Sequence, residues 1–478
     1  MSSRSEADMR TMHSLPWSLA AVGGMVVAIL LGVAAGCGSD VNDGTLALVA
    51  NTCTVLPCTQ QPPDAPSTPG CIVATAAGTV RSLSSASTNL GFANPLGVAQ
   101  VYTARSSGGA PEIQQASVSA TGSPGNGPST APCVAVPAAP GNVTLTAFVS
   151  TATNLTLLES FVPSSQIYVK SSLGTVALVS LTTSGAIAGG DGDSSEPHLS
   201  PNGLWIVWTS LATDLVVPPT TPGRRHVYRR MILSADPLVL GPTELMTGAT
   251  VPVPEANGDS FKADVADDGT VVFSSDATNL VAADGNGATD IYMRTAAFSR
   301  ISMSSSGGDA NGPSGNPAIS GDAERIVFDS SATDVAVPGT PPGIRQIYIW
   351  NKGTGEVTLL SSGIGGLPAN GDCFEPSIAR TAAGDTFVAF LSRATNLGPT
   401  AGGAIPLAYV LAPSGKVVIA SQNSLGSPPA DPVSNVAIAV DPNDATVTFA
   451  TATQLSNCRT AGMTQAYANQ LPLVNLMQ

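Results

Sequence analysis

The sequence predicts an all-β protein built from seven copies of one structural unit, and three observations support this. First, short runs of β-branched and aromatic residues recur along the chain, and no unit places apolar residues at helical spacing. Second, a motif of the form Ala-Thr-Asn-Leu recurs seven times, from Ser87–Leu90 to Ala452–Leu455, with its Thr fourteen or fifteen residues before a tyrosine. Third, the seven tyrosines recur at intervals of 66, 60, 64, 56, 61 and 58 residues: Tyr102, Tyr168, Tyr228, Tyr292, Tyr348, Tyr409 and Tyr467.

The clearest copy contains four strand-like segments. Lys262–Val265 alternates in polarity and is followed by the hairpin signal Asp268-Gly269 and by the apolar strand Thr270–Ser274. Asp290–Arg294 and Arg300–Ser304 are the third and fourth segments. Four short strands in each copy are typical of a β-propeller, in which neighbouring sheets bury one another's faces.

We therefore predict a single seven-bladed β-propeller of four-stranded antiparallel blades over residues 44–478. A six-bladed propeller with an irregular terminal unit is the alternative. The segment Thr45–Val49 resembles the fourth strand of other units, such as Thr175–Val179. We expect it to pair with the last unit and close the ring, which removes exposed sheet edges. Leu473–Leu476 competes for the same position.

One unit resembles the repeat of TolB-like (WD-repeat-like) β-propellers. It reads Pro197–Gly203, then Ile206–Ser210, then Val227-Tyr228, and the resemblance covers about residues 70–478. It implies the propeller architecture. TolB itself has six blades preceded by a helical domain, whereas seven units and no room for such a domain are found here. The resemblance therefore does not imply membership of the Tol system.

The N-terminal residues resemble a bacterial lipoprotein signal peptide. Arg4 and Arg10 precede an apolar run, Leu19–Ala35, and Gly36 then precedes Cys37. We predict a signal peptide over residues 1–36, lipidation of Cys37 and a tether over residues 37–43. An uncleaved anchor helix is the alternative. Gly38, by resemblance to lipoproteins of two-membrane bacteria, favours the outer membrane of the cell envelope.

Composition and cysteine content restrict the possible partners. Charged residues make up only 11% of the chain and the net charge is −14, which argues against nucleic acid as a partner. Cys71 and Cys133 occupy equivalent first-strand positions in consecutive units, so we expect them to lie close together near the axis. Metal binding by cysteine is the weaker interpretation, because the spacings fit no zinc pattern. Six cysteines follow Cys37 and form a plausible disulfide set: Cys53, Cys58, Cys71, Cys133, Cys373 and Cys458.

Motifs for familiar enzyme chemistry are absent from the sequence. It contains no Gly-x-Ser-x-Gly, no His-Glu-x-x-His, no phosphate-binding glycine loop and no sialidase-type Asp box. The best candidate for an ion is a weak calcium site at Asp284, Asn286 and Asp290, whose alternating oxygens could surround the ion. Asx-turns that close the loop are the alternative explanation. No other cofactor is expected.

Two groups of residues are candidates for ligand binding. In an up-and-down blade, the second-to-third loop and the connection to the next blade emerge on one face, the long-loop face, where binding usually occurs. Alignment of the units places Glu196, Lys262, Asn316 and Glu375 at one position around the channel mouth on that face. The second group is Arg224, Arg225 and Arg229, with Arg230, a cluster suited to carboxylates or phosphates. Solvated loop residues and strand arginines paired with Asp are the alternatives.

The sequence therefore favours a non-enzymatic, monomeric envelope lipoprotein. It would bind a protein or polysaccharide through the long-loop face and reach the membrane through its lipid anchor only. A propeller lyase or glycosidase that uses carboxylates at the channel mouth is the first alternative, and a purely structural envelope component is the second. We expect the repeated tyrosines to be scaffold residues buried between blades, with hydroxyls that reach loop groups.

Overall fold

The chain forms seven four-stranded antiparallel sheets arranged as a β-propeller. The first strands of adjacent blades contact one another around the whole ring and are therefore the innermost strands. Seven blades, with almost no helix among the described residues, confirm the predicted fold class, and the six-bladed alternative is wrong. The computed structural model describes residues 46–48, 64–75, 78–106, 111–138, 143–156, 164–183, 188–248, 255–282, 284–337, 339–398, 403–422, 427–453, 455 and 464–477.

The first four blades follow one another along the chain, and each runs from the innermost to the outermost strand. Blade 1 contains β2 (Ser67–Thr75), β3 (Gly78–Ser85), β4 (Gln100–Ser106) and β5 (Glu112–Gln115). Blade 2 contains β6 (Ser129–Ala135), β7 (Leu145–Ser150), β8 (Gln166–Ser171) and β9 (Val176–Leu178). Blade 3 contains β10 (Ser194–Leu199), β11 (Trp205–Ser210), β12 (His226–Ala235) and β13 (Leu238–Leu245). Blade 4 contains β14 (Ser260–Val265), β15 (Val271–Ser275), β16 (Asp290–Arg294) and β17 (Phe298–Arg300).

The last three blades repeat this order. Blade 5 contains β18 (Ser314–Ile319), β19 (Arg325–Ser330), β20 (Gln346–Asn351) and β21 (Val357–Leu359). Blade 6 contains β22 (Cys373–Arg380), β23 (Thr386–Ser392), β24 (Leu407–Leu411) and β25 (Val417–Ile419). Blade 7 contains β26 (Ser434–Val440), β27 (Asp444–Thr451), β28 (Gln465–Pro472) and, as its outermost strand, β1 (Leu46–Leu48). A single 3₁₀ turn (Ile364–Gly366) and one short helix, α1 (Leu473–Leu476), complete the described elements.

The ring is closed by the N-terminal strand. β1 pairs antiparallel with β28, with Leu46 opposite Asn469 and Leu48 opposite Tyr467. This confirms the predicted role of the segment for Leu46–Leu48, the part of it that the structure describes. Leu473–Leu476 form α1 and no strand, so the competing assignment is wrong. Blade 1 contacts blade 7 directly, because the Ser67 backbone N–H donates to the carbonyl of Thr464 at 3.0 Å.

All seven tyrosines are buried, as expected for scaffold residues. In blades 2 to 7 the ring stacks on an aromatic ring from the second strand, with centroids 5.7 to 6.0 Å apart. The hydroxyls of Tyr228 and Tyr348 donate to the carbonyls of Ala212 and Ala332, at 3.1 and 3.3 Å. These alanines begin the Ala-Thr-Asp motifs. The tyrosine therefore joins the third strand to the loop that precedes it.

The Thr-Asn motif fastens two long loops of each blade to each other. In blade 4 the Thr278 backbone N–H donates to Asn257 Oδ1 at 2.8 Å, and the Asn257 N–H donates to Asn279 Oδ1 at 3.0 Å. We call this reciprocal arrangement the loop clamp. Its regularity explains why the motif keeps its phase along the sequence. The Thr bonds to an Asn or Asp in every blade, namely Asp64, Asn126, Asp191, Asn257, Asn311, Asn370 and Asp431.

A glycine follows the clamp residue in five blades because a side chain would not fit there. A Cβ atom on Gly258 would lie 2.6 Å from the backbone carbon of Asp276, closer than real Cβ contacts come. The equivalent Gly192 would meet the backbone of Leu211 and Ala212 at 2.7 Å. The Asn-Gly and Asp-Gly pairs are therefore requirements of packing on the long-loop face.

Two cysteines confirm the predicted neighbourhood at the axis. Cys71 in β2 and Cys133 in β6 form a disulfide with their Cα atoms 4.6 Å apart. Cys373 is a buried free thiol, and burial raises its pKa to about 12. Cys37, Cys53, Cys58 and Cys458 lie outside the described residues. Within the described part of the chain, no helix has the length and apolar character needed to cross a membrane.

The buried tyrosines give a direct test of the scaffold role. Tyr348→Ala removes a fully buried ring that stacks on Phe328 with centroids 5.7 Å apart. We expect it to lower the free energy of unfolding by about 3 kcal/mol or more. Tyr348→Phe keeps the ring and loses only the hydroxyl contacts, so its cost should be near 1 kcal/mol. Equal costs in denaturant titrations would show that the hydroxyl, and not the ring, carries the stabilisation.

Candidate functional site at the channel mouth

The innermost strands share an irregularity that shapes the channel mouth. In all seven blades the pairing of the first and second strands shifts register at a β-bulge. In six blades the bulge contains a non-glycine residue with positive φ, between 46° and 56°. In blade 1 the position holds Pro69, whose ring excludes positive φ. The six left-handed residues, each at least partly exposed, are Ala131, Glu196, Lys262, Asn316, Glu375 and Asn435.

All four mouth residues predicted from the alignment belong to this set. Glu196, Lys262, Asn316 and Glu375 occupy equivalent bulge positions in blades 3 to 6. The alignment therefore placed them at the correct position. It contained no sign that the backbone there is left-handed, because none of the four is glycine.

Glu196 and Lys262 form a linked pair across two blades. Lys262 Nζ lies 3.1 Å from Glu196 Oε1, and its ammonium-bearing side chain is 53% exposed. The Lys262 backbone N–H donates to Glu196 Oε2 at 2.9 Å. The bulge leaves this N–H without a ladder partner, and the neighbouring carboxylate supplies one. The exposed ammonium remains available to a ligand at the mouth.

Asp329 accepts the backbone N–H of the left-handed residue in blade 6, as Glu196 does for Lys262 in blade 4. The sequence analysis did not identify Asp329. Its Oδ2 accepts the Glu375 backbone N–H at 3.0 Å and the side-chain amide of Asn316 at 2.8 Å. Arg345 lies 3.6 Å from its Oδ1. Asp329 is the single carboxylate at its second-strand position, where the other blades have Ser84, Val149, Thr209, Ser274, Leu391 and Ala450.

Burial alters the acidity of Asp329. The side chain is 2% exposed. Desolvation raises its pKa from 3.8 to about 6, although hydrogen bonding from Asn316 and the charge of Arg345 act in the opposite direction. Its charge therefore changes near neutral pH.

The acidic residues just before the innermost strands are structural. Asp193, Asp259 and Asp372 accept backbone N–H groups from the preceding blade. The donors are Ser165 at 2.7 Å, Arg225 at 3.0 Å and Arg345 at 2.9 Å. These carboxylates therefore tie adjacent blades together on the long-loop face.

The predicted arginine cluster does not converge on one point. Arg229 stacks over the Trp205 ring at 4.3 Å and pairs with Glu244. Arg230 points to the opposite face of β12, where it donates to the carbonyls of Gly241 and Val179. These two guanidiniums therefore already have partners on opposite faces of one strand. Strand alternation separates residues that are adjacent in sequence.

The remaining two arginines lie before β12 on the long-loop face. Arg225 is half exposed, and its Nε lies 3.9 Å from Asp259 Oδ2. Arg224 precedes it in the same loop. Only these two members of the cluster share a face with the channel mouth.

At the predicted calcium loop, an arginine occupies the centre of the acidic group. Arg300 NH1 lies 3.4 Å from both Asp284 Oδ1 and Asp290 Oδ2, and its NH2 pairs with Asp309. Asn286 Oδ1 accepts the Ala288 N–H at 2.9 Å, as in an Asx-turn. Arg300 is 5% exposed, so a calcium ion would have to displace a buried guanidinium. Calcium binding at this loop stays a prediction.

Apolar side chains are exposed around the mouth. They lie on second-to-third loops and on one connection between blades, and all are aliphatic. Within the described residues this face thus combines exposed charges at the centre with aliphatic groups around them. The exposed residues are Leu96, Leu211, Val217, Val337, Ile364 and Leu367.

A separate cavity lies on the opposite face. It has a volume of about 270 Å³ and lies between blades 1 and 2, where Arg105, Glu112 and Thr144 line it. Arg105 donates to Thr144 at 2.9 Å, so its guanidinium already has a partner within this cavity. None of the predicted site residues lines this cavity.

Comparison with known proteins does not assign the chain to a family. No family model and no curated protein matches the sequence. A Pyrococcus horikoshii acylaminoacyl peptidase structure is 10% identical at a TM-score of 0.42, over 84% of this chain and 51% of the peptidase. A Trypanosoma rangeli sialidase in complex with sialic acid is 11% identical at 0.38, over 76% and 55%. A Dyadobacter fermentans protein of unknown function is 12% identical at 0.35, over 71% and 93%.

The chain thus spans about half the length of the peptidase and sialidase structures. Similarity at this level concerns the fold alone, and the TM-scores are too low to carry an argument about activity. The TolB-like resemblance remains a resemblance of the repeat pattern.

The raised pKa of Asp329 predicts a specific pH dependence of stability. The folded state binds the proton more tightly than the unfolded chain, because the pKa is about 6 when folded and 3.8 ordinarily. The stabilisation of the folded state by proton binding to Asp329 is therefore complete below pH ~4 and is lost as the pH rises through ~6. The difference in unfolding free energy, wild type minus Asp329→Asn, should fall by about 2–3 kcal/mol between pH ~4 and ~7. Denaturant titrations at both pH values measure it, and a constant difference would contradict the shift.

Proposed function

We propose that this protein is a binding module of the bacterial cell envelope that recognises a protein partner through the long-loop face. The observation that carries the proposal is the set of left-handed residues at the bulges of the innermost strands, which surround the channel mouth. It presents Glu196, Lys262 and Glu375 from a rigid backbone, together with Arg345. Charges held by a preorganised scaffold give specificity at little conformational cost on binding.

The surroundings of the mouth favour a protein over a polysaccharide. Exposed aliphatic groups such as Val217, Val337 and Ile364 lie on the same face as the charges. Apolar groups that surround a polar centre suit a protein surface. The repeated tyrosines are buried, so they offer no stacking platform for sugar rings.

An enzyme that uses paired carboxylates is the alternative function. The Glu375 backbone nitrogen lies 3.0 Å from Asp329 Oδ2. A glutamate carboxylate lies within about 5 Å of its own nitrogen, so the two carboxylates are within about 8 Å of each other. That separation is compatible with glycosidase chemistry. Asp329, however, is buried and already accepts two hydrogen bonds that hold the bulge, which favours a structural role.

The proposed partner can be sought with a matched pair of charge reversals. Lys262→Glu breaks the Glu196–Lys262 pair at the mouth, whereas Lys352→Glu breaks the similarly exposed Glu324–Lys352 pair on the opposite face. A protein captured from envelope extract by the immobilised full chain should bind Lys262→Glu at least ~10-fold more weakly. It should bind Lys352→Glu like wild type.

Quantitative mass spectrometry of the captured proteins gives the readout. A partner that binds both variants equally would place the interface elsewhere on the molecule. Capture of a glycan without any protein would overturn the choice of a protein partner.

The location in the envelope forms part of the same proposal. We infer lipidation at Cys37 from the small residues that precede it, with residues 1–36 as the signal peptide and 37–43 as the tether. The outer membrane is the proposed destination. The chain would contact the membrane through this anchor and act as a monomer.

Lipidation is tested separately from binding. Cys37→Ser removes the acceptor thiol, so the protein should leave the membrane fraction or remain as the longer precursor. Fractionation and intact mass measure both outcomes. A variant with the fractionation and mass of wild type would show that Cys37 is not the anchor.

A further inference from the structure

Four reactive side chains form a continuous row along the innermost strands. They come from the innermost strands of four consecutive blades, each two positions after the bulge position: Cys71, Cys133, His198 and Asp264. Cys71 and Cys133 are joined as a disulfide. His198 Nε2 lies 3.1 Å from Cys71 Sγ, and its Nδ1 lies 2.7 Å from Asp264 Oδ1. The remaining three blades have Ala318, Ser377 and Ala437 at this position.

Asp264 fixes the orientation and the tautomer of His198. Its Oδ1 also accepts the Val265 N–H at 2.7 Å, and its Oδ2 accepts the Ile319 N–H at 2.9 Å. A carboxylate whose two oxygens accept backbone N–H groups is held in place as an acceptor. The proton of neutral His198 therefore lies on Nδ1, and the lone pair of Nε2 faces the sulfur atoms.

At the sulfur end of the row, one cysteine contacts a backbone N–H group and the other is partly exposed. The Leu199 backbone N–H lies 3.4 Å from Cys133 Sγ, in the direction that stabilises a thiolate. The His198 side chain is 41% exposed and Cys71 is partly exposed, whereas Cys133 is buried.

We propose that reduction of the Cys71–Cys133 disulfide converts this row into a binding site for a thiophilic divalent ion of the Zn²⁺ class. The ligands are the two thiolates and His198 Nε2. Cys71 Sγ, Cys133 Sγ and His198 Nε2 already lie within 4.8 Å of one another. Tetrahedral zinc holds two sulfurs about 3.7 Å apart, a separation that the two side chains reach once the covalent bond is broken.

The chemistry of the conversion balances with a dithiol as reductant. The dithiol supplies two electrons, its own sulfurs form a disulfide, and the Cys71–Cys133 bond is cleaved to two thiols. Binding of the ion then releases two protons to solvent as the metal–sulfur bonds form. The oxidised and metal-bound states exclude each other, because each uses the same two sulfurs.

The surroundings match those of known metal sites in two ways. A ligating histidine commonly has a carboxylate beside its other ring nitrogen, and Asp264 Oδ1 lies 2.7 Å from His198 Nδ1. Two thiolates and one imidazole leave a fourth coordination position for water or another ligand. Asp264 is thus a positioning residue and His198 a metal ligand. This inference does not depend on the proposed protein partner.

The test uses the full chain before and after treatment with a dithiol that is removed under nitrogen. Equilibrium dialysis against Zn²⁺ should show one additional bound ion per molecule after reduction. Co²⁺ should give a thiolate charge-transfer band in the near ultraviolet. His198→Ala should weaken zinc binding by more than ~100-fold and reduce the band at equal Co²⁺ concentration, whereas Asp264→Asn should weaken zinc binding ~10- to 100-fold.

Cys373→Ser is the matched control, because it removes a buried thiol outside the row. Serine is the natural residue at this position in blades 2 to 5, as Ser129, Ser194, Ser260 and Ser314. The control should bind zinc like wild type. Thermal unfolding verifies that every variant is folded, and His198→Ala and Asp264→Asn retain the disulfide. Equal zinc binding by reduced wild type and reduced His198→Ala, or no additional ion after reduction, would overturn the proposal.

Discussion

The left-handed bulge of the innermost strand is the constraint on which the channel and its mouth both depend. A side chain with positive φ costs roughly 1 kcal/mol or more when it is not glycine, and the fold accepts this cost in six blades. As a result, one residue lies at the mouth, and the residue two positions later contacts residues at the same position in other blades, as Cys71, His198 and Asp264 do. Glu196 and His198 illustrate this pairing in β10. Without the bulge, period-two alternation would direct both side chains to the same face of the blade.

Many of the acidic side chains accept hydrogen bonds from backbone N–H groups that have no partner strand at the bulges and in the loops. Glu196 and Asp329 accept the N–H of the left-handed residue in the next blade, and Asp264 accepts that of Ile319. Other aspartates form the loop clamp or bridge adjacent blades, as Asp191 and Asp259 do. A net charge of −14 is therefore largely a consequence of structural hydrogen bonding, and it says less about the ligand than its size suggests.

The fold could be predicted from the sequence because its key residues recur in every unit. The site was harder to predict because its residues differ from one unit to the next. The tyrosines, the Thr-Asn motifs and the β1 segment each occupy a recurring position, so their places in the propeller could be predicted. Asp329 occurs once, at a position that is serine, threonine or apolar elsewhere, and only the three-dimensional structure shows its contact with Glu375. The arginines show the opposite case, in which neighbours in sequence are not neighbours in space. Arg229 and Arg230 are adjacent in sequence, but β12 sends them to opposite faces.

The same reasoning explains why the row of Cys71, Cys133, His198 and Asp264 resembles no metal motif in the sequence. Metal motifs are recognised by ligands a few residues apart on one hairpin or helix. In a propeller, neighbours around the axis are separated by a whole repeat, as Cys71 and Cys133 are by 62 residues. A ligand set can therefore be built from one structural position across successive blades, provided that those blades differ from the rest at that position. Here four consecutive blades carry sulfur, imidazole or carboxylate, while the other three carry alanine or serine. Ala318 and Ala437 occupy the same position, so the fold does not require a sulfur, an imidazole or a carboxylate there, although Cys133, Asp264 and Ser377 each accept a backbone N–H from the next blade.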